Sequence, residues 1–131
     1  MKTILTILLT FISLNISAPP DDRIDILRFE PYNIYDKLID AVVKVESGGD
    51  VYAFNASEGA VGAFQVRQCR IDHYNYLTGS KMSLADMYDY DKAKQVFLFF
   101  AVGKSFERAS KEWNGSGYMT EIYWRKIKAN L

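Results

Sequence analysis

Apolar residues recur at helical spacing over most of the chain. Ile34, Leu38, Val42 and Val45 fall at intervals of four, four and three, with Ile39 and Val43 widening the stripe. This spacing predicts an amphipathic helix starting at Asn33. Ser47-Gly48-Gly49 ends it, because paired glycines suit a C-terminal cap. Residues 50–62 show little periodicity and read as a loop. A short helix is expected over 64–77, closed by the turn Thr78-Gly79-Ser80. Asp89 is the best-placed N-cap for the next helix. There Ala93, Val96, Phe97, Phe100 and Ala101 return to helical spacing, and the helix is expected to run on to Trp113. Asn114-Gly115-Ser116-Gly117 breaks it. A last helix over 120–129 is expected to bury Ile122 or Tyr123, together with Trp124 and Ile127. No alternating run is long enough for a central sheet. The expected class is mainly α, with one small helical domain over residues 33–131.

The amino terminus follows a different pattern. Lys2 precedes an apolar run from Ile4 to Ile16, too short and too weakly flanked for a membrane span. Residues 1–18 therefore read as a secretory signal, which implies a periplasmic or secreted protein and no stable membrane span after cleavage. Residues 19–32 carry three prolines, four acids and a small apolar patch at Ile24, Ile26 and Leu27, and read as an arm or linker.

Composition narrows the chemistry. The chain is 49% hydrophobic and 15% aromatic, a globular balance, with a formal net charge of zero. A neutral chain lacks the basic footprint of a nucleic-acid binder. One cysteine, Cys69, allows no internal disulfide, and with the single His73 it cannot assemble a Cys/His metal cluster. No metal or cofactor is expected. Cys69 reads as a small core filler, and the group Phe97, Phe99 and Phe100 as core, with room for one of them to reach the floor of a site.

Glu46 is the residue of chemical interest. It follows Val42 and Val43 by one turn, at the margin of the apolar stripe, and sits in the last turn of its helix. Partial desolvation and the negative end of the helix dipole both disfavour its ionised form, so its pKa should rise. A carboxyl still protonated near neutral pH can act as a general acid. Thirteen residues on, Gly59 and Gly62 permit tight turns and close backbone approach. Gln65 then supplies an amide that both donates and accepts, as recognition of an N-acetylated sugar requires.

Four segments in order, Val45-Glu46-Ser47-Gly48-Gly49-Asp50, Gly59 to Val66, Trp113 to Gly117, and Thr120 to Ile127, resemble the motifs of the SLT-type lytic transglycosylases. The resemblance covers about residues 34–127 and implies the lysozyme-like fold that this family shares with goose-type lysozymes. It implies Glu46 as the sole catalytic acid/base. Ser47 would support the loop or the acetamido group of the sugar, Gln65 would contact substrate, and Asn55 would help fix the N-acetyl group. Gly62, Phe64, Trp113, Asn114 and Tyr123 complete the expected substrate-binding set. The implied partner is a peptidoglycan glycan strand.

The chain departs from that pattern in three places. The glycine turn ends Gly62-Ala63-Phe64-Gln65 where the family usually has Gly-Leu-Met-Gln. Phe64 could line the cleft or pack. Trp113-Asn114-Gly115 replaces Ala-Tyr-Asn-Ala-Gly, so a phenol hydroxyl is missing, and Tyr123 is the residue able to supply it. Goose-type lysozymes place an aspartate just after the glutamine turn, and here Arg67 stands there.

Asp50, Glu58 and Asp72 remain as second acids without the family's spacing. A single acid suits the lytic route, in which the substrate's own acetamido oxygen and C6 hydroxyl replace a second carboxylate and water. A hydrolysing muramidase, and a noncatalytic peptidoglycan-binding module of the cell envelope, are the alternatives.

Overall fold

The computed structural model describes the backbone from residue 23 and the side chains from residue 34 onward, to Leu131. The expected signal, residues 1–18, lies outside the described residues. Helix α1 (Arg23–Ser47) leads into a small antiparallel hairpin of β1 (Phe54–Asn55) and β2 (Ala60–Val61). Phe54 stands opposite Val61 and Asn55 opposite Ala60. Helix α2 (Gln68–Thr78), a 3-10 turn (Leu84–Tyr88), α3 (Tyr90–Ala101), α4 (Phe106–Asn114) and α5 (Met119–Lys128) follow. The protein is mainly helical, as its periodicity predicts.

The core forms where the apolar face of α1 meets the glycine turn and the later helices. Leu38 and Val42 from α1, Phe64 from the turn, Phe97 from α3 and Ile127 from α5 are all fully buried. Each such side chain contributes about 1.5–3 kcal/mol of transfer free energy. Phe64 is the hinge of this packing. Its ring stacks on Phe97 with centroids 5.5 Å apart, and Phe97 meets Trp113 edge-on at 5.1 Å. A line of aromatic contacts thus ties the turn after β2 to the end of α4.

The observed elements differ in places from those the sequence predicts. Helix α1 is described from Arg23, so residues 23–32 of the segment expected as an arm are helical, and residues 19–22 lie outside the described residues. Residues 23–30 include Leu27, two arginines and Glu30, all good helix formers, and that propensity outweighs the proline signal. Within α1, Ile34 is 63% exposed, and Tyr35 takes the core position instead. The Tyr35 hydroxyl donates to the Lys104 carbonyl (3.1 Å) and accepts from Gly103 N–H (3.0 Å), which a core isoleucine could not do.

The second helix starts at Gln68, not at residue 64. Val61 and Val66 exchange two backbone hydrogen bonds of 2.9 Å, and Gln65 sits at φ 48°, a left-handed conformation that no helix continues through. The long helix expected to reach Trp113 is two helices. Gly103 at φ 82° ends the first, and the Ser105 side chain caps the second by accepting from Arg108 N–H (3.2 Å). Asp89 caps α3 as predicted, accepting from Lys92 N–H at 3.1 Å. In α5, Tyr123 and Ile127 are buried, while Ile122 and Trp124 are half-buried.

Candidate active site

The site is assembled where α1 stops. Gly48, at φ 66°, turns the chain after donating its N–H to the Lys44 carbonyl (3.1 Å), which leaves Glu46 in the last turn of the helix. The neighbouring Ser47 serves the scaffold. Its hydroxyl donates to the Ala63 carbonyl (2.8 Å) and accepts from Gly49 N–H (3.2 Å), binding the helix end to the glycine turn. Ser47 therefore ties the loop together and is not among the residues lining the cleft.

Two further residues expected to bind substrate are structural. Phe64 is 0% exposed, with the Tyr90 and Phe97 rings each 5.5 Å from its own, so its side chain cannot meet a sugar. Burial of the largest apolar group in the turn wins over its display. Gly62 is also buried. A Cβ there would lie 2.1 Å from the Met87 carbonyl oxygen, so this glycine permits contact with the 3-10 turn, not with a ligand.

The remaining expected residues come together. Glu46, Asn55, Gln65, Trp113, Asn114 and Tyr123 all line one open cleft of about 330 Å3. They arrive from α1, the hairpin, the glycine turn, the end of α4 and α5, five segments far apart in sequence. Gln65 is held by its own turn, its Nε2 donating to the Gly62 carbonyl at 3.0 Å. That bond compensates in part for the left-handed backbone of a residue with a Cβ. Asn55 Oδ1 accepts from the N–H and hydroxyl of Ser57 (3.1 and 2.7 Å). The indole N–H of Trp113 donates to the Phe64 carbonyl at 3.2 Å. What Trp113 offers the cleft is thus ring surface.

At the centre, the Tyr123 hydroxyl donates to Oε1 of Glu46 at 2.7 Å. The hydroxyl beside Glu46 therefore comes from α5. Burial is the largest influence on Glu46 and pushes its pKa up to about 7, against the lowering effects of the Tyr123 hydrogen bond and the Arg67 charge. Glu58 raises it further by like-charge repulsion. Burial also drives the Tyr123 hydroxyl well above its ordinary range, so it remains a donor at any working pH. A carboxyl with a pKa near 7 is placed to give a proton and take one back.

Several cleft residues carry no signal in the sequence motifs. Glu58 lines the same cleft and pairs with Arg67 Nη2 at 2.6 Å. Both are nearly half exposed, so the pair is weak. Of the three second-acid candidates, only Glu58 reaches the cleft. Asp50 accepts from Tyr52 N–H (2.8 Å) and Asp72 from the Gln68 amide (2.8 Å), both ordinary loop and helix contacts.

Arg70 holds the wall. Its guanidinium lies between the rings of Phe100 (4.8 Å) and Trp113 (4.9 Å) and donates to the Glu112 and Trp113 carbonyls at the end of α4. Lys126 lines the cleft three residues after Tyr123, on the same face of α5. That spacing is the one sequence signal able to find it. Cys69 is exposed at the cleft, contrary to its expected place in the core, because the first turn of α2 points it outward. Among the described residues no group of His, Cys, Asp and Glu is arranged to hold a metal ion, and no helix is long and apolar enough to cross a membrane. The chain matches no protein-family model, no curated protein and no solved structure.

Proposed function

We propose that this protein is a peptidoglycan lytic transglycosylase of lysozyme-like fold, acting in the periplasm or outside the cell. The observation that carries the reading is the half-buried Glu46, with a pKa of about 7, receiving a 2.7 Å hydrogen bond from Tyr123 in an open cleft. Protonated Glu46 gives its proton to the glycosidic oxygen between N-acetylmuramic acid and N-acetylglucosamine, and the C1–O bond breaks. The acetamido oxygen of the substrate stabilises the positive charge developing at C1. Glu46, now a carboxylate, removes the proton of the muramyl C6 hydroxyl as that oxygen bonds to C1. The 1,6-anhydro ring closes, water is not consumed and Glu46 is protonated again. Proximity of the C6 oxygen to C1 removes the need for a second base. Tyr123 supports both stages, since its hydrogen bond stabilises the carboxylate form without abolishing the acid.

A second reading, a hydrolysing muramidase, is favoured by Glu58, a second carboxylate on the same cleft. In that reaction a water would add to C1 and a carboxylate would take its proton. Digestion of purified peptidoglycan by the protein and by Glu46→Gln, with the released fragments weighed, separates the possibilities. Anhydro ends, one water lighter than reducing ends and absent with the variant, are the expected result. Reducing ends would assign hydrolysis. Binding without release by either protein would leave a noncatalytic module.

A further inference from the structure

The charge of this protein is not spread evenly. The chain as a whole is neutral, yet the cleft is lined by three cations, Arg67, Arg70 and Lys126, and by two carboxylates, Glu46 and Glu58. Burial raises the Glu46 pKa to about 7, so it is mostly uncharged below that pH. Local positive charge in a concave site attracts anions more than its count implies, because the protein walls exclude screening water.

The three cations are not equivalent. Arg70 donates from Nη2 to the α4 carbonyls and lies against two aromatic rings, so it is held in the cleft wall and contributes mainly charge. Arg67 uses one nitrogen, Nη2, and only on the exposed Glu58. Such a pair is worth at most about 1 kcal/mol, so an incoming carboxylate can displace it. A guanidinium fork matches carboxylate geometry better than a single point charge does. Lys126 has no carboxylate partner among the described residues. It stands on the helix face that also delivers Tyr123 to Glu46.

We infer that Arg67 and Lys126 form a carboxylate-binding subsite beside Glu46, which selects glycans bearing an acidic substituent over neutral ones of the same backbone. The inference rests on the glycan-cleaving reading given above. On a peptidoglycan strand the carboxylate has two sources: the free lactyl group of a muramyl residue without its peptide, or the acidic groups of the attached peptide.

The test is a calorimetric binding series with Glu46→Gln, so that no strand is cut. Three ligands of equal backbone length are compared: a neutral N-acetylglucosamine oligomer, a peptide-free alternating strand with free lactyl carboxylates, and the same strand with peptides attached. At least one acidic ligand is expected to bind about tenfold or more tightly than the neutral oligomer. Whichever acidic strand binds more tightly names the source. Adding Arg67→Ala and Lys126→Ala should erase the preference while leaving neutral-oligomer affinity in place, and Lys126→Arg should restore part of it. Rising salt should weaken the preference, because the contacts are exposed. Equal affinity for all three ligands overturns the subsite and leaves the glycan reading standing. Failure to bind any of the three overturns both.

Discussion

Tyr123 donates its hydroxyl hydrogen to Oε1 of Glu46 across 2.7 Å, joining residues 77 positions apart. The bond lowers the Glu46 pKa while burial raises it, and the balance lies at about 7. The tyrosine keeps a buried acid from becoming too weak to return to its carboxylate form.

Tyr123→Phe removes that restraint and little else, since the ring still packs. The Glu46 pKa is expected to rise above about 7, shifting the pH–rate profile toward higher pH. A hydrogen bond to a charged group contributes about 1.5–3 kcal/mol, so the maximal rate should fall roughly 10- to 100-fold. A profile unchanged in position would mean that the phenol does not act through Glu46.

In the proposed reaction Glu46→Gln should abolish turnover, and above about pH 7 it should stabilise the fold. The carboxyl titrates near 4.5 when the chain is unfolded and at about 7 when folded. The folded state therefore binds more protons between those values, and stability is lost as pH rises from about 4.5 through about 7. Above that window ionised Glu46 costs on the order of 3 kcal/mol. The neutral glutamine, which can still accept from Tyr123, avoids the cost. Urea unfolding should find the variant more stable than the parent at pH 8 and near parity below pH 4.5. Parallel curves at both pH values would argue against a raised Glu46 pKa.

Gly62 and Gly59 both have positive φ, at 77° and 61°, yet their surroundings differ. A Cβ at Gly62 collides with the Met87 carbonyl, whereas nothing lies within 4 Å of one at Gly59. Gly59→Ala should cost about 1–2 kcal/mol, the left-handed penalty alone. Gly62→Ala adds a backbone clash and should cost clearly more, with the glycine turn and the 3-10 turn pushed apart. Denaturant midpoints of the two variants test the ordering.

Phe64→Leu separates packing from binding at the glycine turn. The substitution keeps an apolar side chain in a fully buried position and should lower stability by about 1–3 kcal/mol through imperfect filling. Glycan affinity should remain within about twofold of the parent, a difference of only a few tenths of a kcal/mol. Loss of affinity with stability intact would return Phe64 to the cleft.

The local pattern of the sequence determined what local physics controls. Helical spacing identified the α class, Ser47-Gly48-Gly49 marked the end of α1, and Asp89 marked the start of α3, because caps and stripes depend on neighbours in sequence. It also placed Glu46 at the edge of a buried stripe in a last helical turn, enough to expect a raised pKa. The tertiary structure decided the rest. Phe64 is buried and Ile34 exposed because burial is settled by which neighbours arrive: Phe97 comes from α3 to Phe64, and Phe106 comes from α4 to Tyr35 instead of Ile34. The gathering of Glu58, Arg67, Lys126 and Tyr123 around Glu46 joins the hairpin, the residue that precedes α2, and α5. Charges on surface loops leave no periodic trace in sequence. Only long-range packing brings them within reach of one carboxyl, and there low dielectric and proximity give them their effect.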